Sequence, residues 1–331
     1  MSKLRTRIQR LVRGEMSLEY TIYKLIGRKK VPNEKVAHFF KMVFNENETN
    51  NDNSNNVIEV PTYDGFDQAT HPDVVWYENK MFMAVTPYAY SDERLENPCL
   101  YACTAEGVIR VKKIGDNPLI KWDKREYRHH YSDPALYIDD NCLSVFYRDS
   151  LHLNAEKRID KIYRIQSQDA STWTAPEEII LPSEHFIAPS FCRKGYSTYV
   201  YYTEDIGEKT EFYLGLFNEN KIEKLERPNV INAPQSMTIW HVDVKKYEAD
   251  VYVGLFTYME KAGHGKTKLF YAESNDMINW EIQKEIPEGK KVEGQSYYKA
   301  TSAKVNGHII GIGSMMDSRQ CWHICNLGVL K

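Results

Sequence analysis

The sequence repeats one unit five times. Each unit is a strand-forming run, a tight turn and a second run rich in Val, Ile, Tyr or Phe. The units are HPDVVWYENKMFMAV (71–85), DPALYIDDNCLSVFY (133–147), APSFCRKGYSTYVYY (188–202), HVDVKKYEADVYVGLF (241–256) and YKATSAKVNGHIIGIGS (298–314). Their starts lie 53 to 62 residues apart, which is room for four short strands each. The repeat therefore predicts an all-β fold, a five-bladed β-propeller of four-stranded antiparallel blades over residues 57–331.

A shorter repeat marks the outer hairpins of units two and four. SQDASTW (167–173) and SNDMINW (274–280) both fit Ser-x-Asp-x-x-x-Trp. The Asp is expected to accept backbone N–H bonds within the turn, and the Trp to fold back into the blade. The turn resembles the Asp-box of glycan-processing propellers, and we interpret it here as structural. The segment VIEV (57–60) is predicted to pair with the last blade and close the ring, which removes exposed strand edges.

The first 44 residues show the pattern of helices and not of strands. Apolar residues recur at helical spacing, and Ser17 is a candidate N-cap. Helices are predicted over 4–12, 17–26 and 36–44. A polar linker, NENETNNDNSNN (45–56), separates them from the propeller. Residues 1–30 carry nine Lys or Arg and two Glu, so this segment either lies on an anionic membrane surface or packs on the propeller with a solvated basic face.

The overall composition limits the classes of binding partner and the cellular location that we expect. A net charge of −3 argues against nucleic-acid binding by the main body. The six cysteines form no CxxC pair, and we expect buried free thiols. The first 20 residues contain no apolar signal-peptide core, and no stretch reaches the length of a membrane span. The expectation is a cytoplasmic protein. Its 23 Tyr residues suit sugar binding and ordinary strands equally.

The first strand of each blade lines the central channel of a propeller, so polar residues on these strands should converge. They are His71, Asp73, Asp133, Ser190, His241, Asp243, Tyr298 and Lys299. Pro follows His71, Asp133 and Ala188. We expect each X-Pro pair to give its strand an extended start and to direct the preceding side chain at the pocket. Asp73 is expected on the same strand face as His71.

Together these features resemble the five-bladed propellers of the family 43 glycoside hydrolases. The shared features are the five blades, an Asp-Pro opening an inner strand, Ala-Pro-Ser in blade three (188–190) and Trp-His in blade four (240–241). Relatives of that group include invertase-like and mannoside-phosphorylase propellers. The resemblance covers roughly residues 57–331. It implies hydrolysis of glycosidic bonds with inversion, by a base carboxylate, an acid carboxyl and a third Asp that tunes the acid.

Only part of the catalytic set that the resemblance implies has a matching residue in this sequence. Asp133 matches the tuning Asp, but His71 stands at the position of the base, with Asp73 two residues on as candidate base. Ile187 stands where the family has its acid. Either another residue takes that role, or the chemistry differs, or the site only binds. Candidates for the missing role are Glu184, His241 and Asp243.

The remaining polar residues are predicted to bind the substrate. They are His71, His130, Arg148, Ser190, Trp240, His241, Tyr298 and Lys299. Arg148 either binds an anionic sugar or a phosphate with the two N–H groups of its planar guanidinium, or forms a surface ion pair with Asp149 or Asp160. His71, Asp133 and His241 alternatively hold a divalent ion in the channel.

These observations favour a glycan-active protein that acts on a saccharide or glycoconjugate in the central pocket. The leading hypothesis is a glycoside hydrolase-like enzyme. A variant transfers the glycosyl group to phosphate or to a growing surface polysaccharide. The other classes are a non-catalytic carbohydrate-binding propeller and a protein-binding scaffold. An enzyme of the family 43 type requires Asp73, Asp133 and a third acid within about 9.5 Å of one another.

Overall fold

The computed structural model describes residues 10–11, 16–27, 33–44, 56–106, 108–120, 129–139, 141–153, 158–248, 250–262, 264–287 and 297–331. Within these residues the chain forms helices α1 (Leu18–Ile26) and α2 (Glu34–Phe44), followed by strands β1 to β21. The strands are grouped in five sheets, and the five-bladed propeller predicted from the repeat is confirmed.

The blades follow one another along the chain, and the four main strands of each blade pair antiparallel. Blade five begins with β1 (Val57–Ile58) as its outer strand. Blade one is β2 (Ala69–Tyr77), β3 (Lys80–Pro87), β4 (Cys99–Glu106) and β5 (Val108–Lys113). Blade two is β6 (His129–Asp139), β7 (Cys142–His152), β8 (Arg158–Ser167) and β9 (Glu177–Ile179). Blade three is β10 (Phe186–Lys194), β11 (Ser197–Asp205), β12 (Thr210–Asn218) and β13 (Lys221–Glu226).

Blade four carries one additional strand. After β14 (Asn229–Ile231) come β15 (Thr238–Glu248), β16 (Val251–Lys261), β17 (His264–Ser274) and β18 (Asn279–Ile286). β14 pairs in parallel with β18 at the outer edge. Blade five is completed by β19 (Tyr297–Val305), β20 (His308–Met316) and β21 (Trp322–Val329).

The ring closes as the sequence predicts. β1 pairs antiparallel with β21, with Val57 opposite Cys325 and Ile58 opposite Ile324. Side chains of a strand alternate between faces, so Ile58 is buried in the core between blades one and five while Val57 is exposed. The last blade thus takes its fourth strand from the beginning of the propeller sequence.

The predicted outer turns are confirmed. Asp169 Oδ1 accepts the amides of Ser171 and Thr172 at 2.8 and 2.7 Å. Asp276 Oδ1 accepts those of Ile278 and Asn279 at 2.8 and 2.7 Å. Trp280 is fully buried in its blade, whereas Trp173 is only half-buried.

The two helices pack on the propeller. Ser17 caps α1 by accepting the Tyr20 amide, and its hydroxyl donates to the Arg319 carbonyl at 2.7 Å. Tyr23 of α1 and Phe40 of α2 are buried in one cluster with Tyr90. The predicted helices over 17–26 and 36–44 are therefore confirmed. None of the described helices is long and apolar enough to cross a membrane.

Two predictions fall on other parts of the chain. The helix predicted over 4–12 lies almost wholly outside the described residues, and so does the linker 45–56 except for its last residue. All six cysteines are free thiols, as expected, and all but Cys142 are buried.

Candidate functional site

Each innermost strand contains a register irregularity near its start. These irregularities lie between Thr70 and Asp73, Ser132 and Ala135, Ile187 and Ser190, Ile239 and His241, and Tyr297 and Ala300. β-Bulges redirect side chains and are over-represented beside active sites. The bulges therefore change the direction of the side chains that the sequence predicts at the channel.

The backbone at three of these bulges differs from the expectation. His71, Asp133 and Ala188 have φ of 54°, 50° and 52°, so the extended start predicted for the X-Pro pairs is wrong. These residues adopt the left-handed region, which is uncommon outside glycine and clusters at functional sites. The bulge after Thr70 also interrupts the strand alternation between His71 and Asp73, and the two side chains have different partners.

The first group of side chains surrounds Asp133. His71 Nε2 lies 2.9 Å from Asp133 Oδ1, and Arg148 Nε lies 2.8 Å from Asp133 Oδ2. His71 Nδ1 lies 2.7 Å from the Thr86 hydroxyl, which fixes the ring. Asp133 and His71 are each 1% exposed, and Arg148 is 11% exposed. Arg148 thus forms a buried pair with Asp133 rather than the predicted surface pair with Asp149 or Asp160.

His241 completes this group. Its ring centroid lies 5.3 Å from that of His71 and 4.8 Å from that of Tyr298. Both of its nitrogens are buried, and neither has a hydrogen-bond partner among the described residues. His71 Nε2 and Asp133 Oδ1 also lack a well-aligned hydrogen bond despite their proximity.

The three residues have the geometry of a cation site. One ligand atom from each of His71, Asp133 and His241 lies within 4.8 Å of the other two. All three residues are buried, and neither nitrogen of His241 has a hydrogen-bond partner among the described residues. Two imidazoles and one carboxylate are ligands that suit divalent transition metals.

Electrostatics keep the group in the protonation states that bind cations. Burial opposes ionisation of Asp133, but the Arg148 guanidinium and the His71 ring hold its pKa well below the usual range. Burial lowers the pKa of His71 in spite of Asp133, and lowers that of His241 well below its usual value. The group therefore combines an ionised carboxylate with two neutral imidazoles, as metal binding requires.

Two other predicted acids, Asp73 and Asp243, form a separate buried cluster with Lys245. Lys245 Nζ lies 2.6 Å from Asp73 Oδ1 and 3.2 Å from Asp243 Oδ1. Lys299 Nζ donates to the Pro134 carbonyl at 2.9 Å and lies 3.9 Å from Asp73 Oδ2. Asp73 and Asp243 are thus engaged by a lysine that they share.

The same carboxylates connect neighbouring blades. Asp73 Oδ2 accepts the Leu136 amide of blade two at 3.1 Å, and Asp243 Oδ2 accepts the Ser302 amide of blade five at 3.3 Å. The Ser190 hydroxyl of blade three donates to Asp243 Oδ1 at 3.4 Å. These contacts describe a buried layer that holds the inner strands together.

The surroundings are apolar at Ile187, the position where the resemblance implies a general acid. Ile187 is buried in a cluster with Ala188, Trp240 and Met259. The Glu184 side chain is 88% exposed and lies 3.8 Å from His185, so the structure does not bring it to the first group. Trp240 is buried beside His241, with a ring centroid distance of 5.6 Å.

Sequence reasoning missed Glu96, which is buried at the same site. Its Oε1 lies 3.7 Å from His71 Nδ1 and its Oε2 lies 3.4 Å from His130 Nε2. Burial raises its pKa well above the usual range, and the Asp133 charge adds to this. Glu96 lies between β3 and β4, outside the repeated lead-in strands, so no pattern in the sequence marks it.

The fold is shared with solved structures of sugar-acting proteins. An N-acetylgalactosamine deacetylase from F. plautii aligns at TM-score 0.68 and 17% identity, covering 83% of this chain and 94% of that one. A family 32 beta-fructofuranosidase of Bombyx mori aligns at TM-score 0.57 and 12% identity, over 82% of this chain and 61% of that one. A family 43 beta-xylosidase/alpha-arabinofuranosidase from a compost metagenome aligns at TM-score 0.55 and 12% identity, over 78% and 89%.

Sequence comparison adds no closer relationship. No protein-family profile matches the chain, and no curated protein sequence matches it. At these identities the structural similarity shows the five-bladed fold alone.

Proposed function

We propose that this propeller is a glycan-active hydrolase whose reaction centre is the group of His71, Asp133 and His241, with a divalent cation as its cofactor. The observation that carries the proposal is the set of three buried ligand atoms within 4.8 Å of one another, none of them in a well-aligned hydrogen bond. The similarity in fold to glycoside hydrolases and to a sugar deacetylase supports a saccharide as substrate.

The arrangement of acids favours one class of bond. Asp133 is held ionised and cannot donate a proton, while Asp73 and Asp243 are engaged by Lys245. Glu184 is exposed. The predicted carboxylates therefore do not provide the acid–base pair that inverting glycoside hydrolysis needs. We favour hydrolysis of an acyl substituent on a sugar, an amide or ester, over hydrolysis of the glycosidic bond.

The residues around the proposed ion have distinct roles in this reaction. A bound divalent ion polarises a carbonyl oxygen and lowers the pKa of water. Arg148 keeps Asp133 ionised and oriented, and the Thr86 hydroxyl holds His71 at its Nδ1. The half-buried Tyr298 lies against the His241 ring, and the centroid of the Tyr88 ring lies 6.0 Å from that of Tyr298 and 6.5 Å from that of His71, so that two aromatic rings lie beside the group. Such rings suit stacking against a sugar.

The test is a hydrolysis screen of the full chain loaded with Zn²⁺ or Co²⁺, against N-acetylated and O-acetylated sugars and aryl-glycosides. We expect acetate release that a chelator abolishes and that falls at least about 100-fold in Asp133→Asn and His241→Ala. His308→Ala, which alters an exposed histidine in blade five, is the matched control.

Other results of the screen would point elsewhere. Metal-independent release of sugar from aryl-glycosides would contradict the acyl-hydrolase assignment and restore the glycosidase hypothesis. Glycosyl transfer to added phosphate would indicate the phosphorolytic variant. Calorimetric sugar binding that Asp133→Asn abolishes, with no turnover, would instead indicate a carbohydrate-binding propeller.

We also propose that the N-terminal helices attach the propeller peripherally to an anionic, cytoplasmic membrane surface. The two helices expose six large apolar side chains, which are Leu18, Leu25, Ile26, Phe39, Met42 and Val43. The basic composition of residues 1–30 complements anionic lipid. Apolar exposure combined with basic charge is typical of interfacial helices.

Vesicle co-sedimentation tests this attachment. The protein should bind phosphatidylserine vesicles in preference to phosphatidylcholine vesicles, and Phe39→Ser with Met42→Ser should reduce binding about tenfold, since both side chains would enter the interface. Val329→Ser, at an exposed apolar position of β21, is the control. A wild-type protein that stays in the supernatant with anionic vesicles would contradict the proposal.

A further inference from the structure

A second group of metal-ligating side chains lies outside the proposed reaction centre. One ligand atom from each of Glu93, His130 and His152 lies within 4.8 Å of the other two. Glu93 is an exposed residue that begins a short 3-10 helix between β3 and β4, His130 is the second residue of β6, and His152 ends β7. Blades one and two thus meet at three residues that the proposed reaction does not use.

His130 is the buried member of this group. It is 3% exposed, and its Nδ1 is buried without a hydrogen-bond partner among the described residues. Its Nε2 lies 3.4 Å from Glu96 Oε2. Histidines that bind metals usually contact a carboxylate through their other ring nitrogen. Glu96 fits that position and leaves Nδ1 for the ion.

Glu96 also lies close to a histidine of the proposed reaction centre. Its Oε1 lies 3.7 Å from His71 Nδ1, the nitrogen opposite the one that faces Asp133. One buried carboxyl therefore lies between the two groups and close to a histidine of each.

The arginines around this group have carboxylate partners of their own. Arg158 Nε lies 2.6 Å from Asp160 Oδ2, Arg94 Nη2 lies 2.5 Å from Asp92 Oδ2, and Arg148 is paired with Asp133.

We infer that Glu93, His130 and His152 bind a second divalent ion of the transition-metal class, such as Zn²⁺, Co²⁺ or Ni²⁺. Two imidazole ligands favour these ions over Ca²⁺ and Mg²⁺, which prefer oxygen. Because Glu93 is exposed and His152 half-buried, this site opens to solvent and its ion exchanges independently. The inference depends on its own three residues and does not require the proposed function.

The test counts Co²⁺ bound by the full chain after chelator treatment and dialysis at a buffered low-micromolar free concentration. Elemental analysis of the wild type should give about two Co²⁺ per chain. His152→Ala and His241→Ala should each lose one, and His308→Ala should lose none. Glu93→Gln alters an exposed position with little risk to folding, and should weaken one site at least about tenfold.

The outcomes separate the two sites. Wild-type Co²⁺ content and affinity in both His152→Ala and Glu93→Gln would overturn the inference. A single Co²⁺ that only His241→Ala removes would also overturn it, and would leave the reaction centre intact. A single Co²⁺ lost in His152→Ala and Glu93→Gln but kept in His241→Ala would support this site and contradict the metal at the reaction centre.

Discussion

At the scale of single residues, side chains two positions apart on one inner strand have different roles. His241 lies in the group around Asp133, whereas Asp243 is engaged by Lys245 and by Ser190. The distinction comes from partners on other blades, which the sequence of one strand does not contain. A buried carboxylate with a fixed cationic partner is held in place, and removing that partner is costly.

The ion-pair layer gives a direct stability prediction. Lys245→Met leaves Asp73 and Asp243 buried without their shared cation, and we expect the free energy of unfolding to fall by about 3–5 kcal/mol. Urea denaturation measures the loss. Lys246→Met, on the neighbouring exposed residue, should change stability by less than about 0.5 kcal/mol. Equal effects of the two substitutions would contradict a structural role for the layer.

The sequence predicted part of the candidate site for a physical reason. The repeat identifies the inner strands, and inner strands converge, so His71, Asp133 and His241 were expected at the channel. Glu96 and Lys245 were not found, because one lies on a connection outside the repeat and the other acts through a contact between blades. The extended X-Pro start failed because a bulge overrides the local preference of the backbone.

At the scale of elements, a buried carboxyl makes the attachment of α1 depend on pH. Glu19 accepts a short hydrogen bond from the Tyr90 hydroxyl and contacts Cys321 Sγ at 3.9 Å. Burial raises the pKa of Glu19, against the lowering effect of the Tyr90 bond. Its folded pKa therefore exceeds its unfolded value. The stabilisation is complete below the unfolded pKa of about 4.3 and is lost as the pH rises through the folded pKa.

This sign predicts how Glu19→Gln behaves. The amide can still accept from the Tyr90 hydroxyl but carries no buried charge. The variant should be more stable than the wild type at pH 7.5, and the difference should shrink as the pH falls toward 4.5. Urea titrations at the two pH values measure it, with Glu59→Gln as an exposed control. A difference that grows at low pH would contradict the assignment.

At the scale of the whole molecule, the fold was predictable because a closed ring leaves few alternatives. Five equal units cannot bury their faces singly, and stacking them around an axis does so. The same argument required a closing strand, which the sequence offered at VIEV and the structure provides as β1. The packing of α1 and α2 stayed open in the sequence, because their apolar residues suit a propeller surface and a membrane equally.

Closure should be measurable from two neighbouring residues on β1. Ile58 is buried between blades one and five, while Val57 is exposed on the opposite face. Ile58→Ala should lower the free energy of unfolding by about 2–5 kcal/mol, because it leaves a cavity where the ring is joined. Val57→Ala keeps the same backbone pairing and should change it by less than about 0.5 kcal/mol. If both substitutions are neutral in urea denaturation, β1 does not hold the ring closed, and its pairing with β21 contributes little to the cohesion of the propeller.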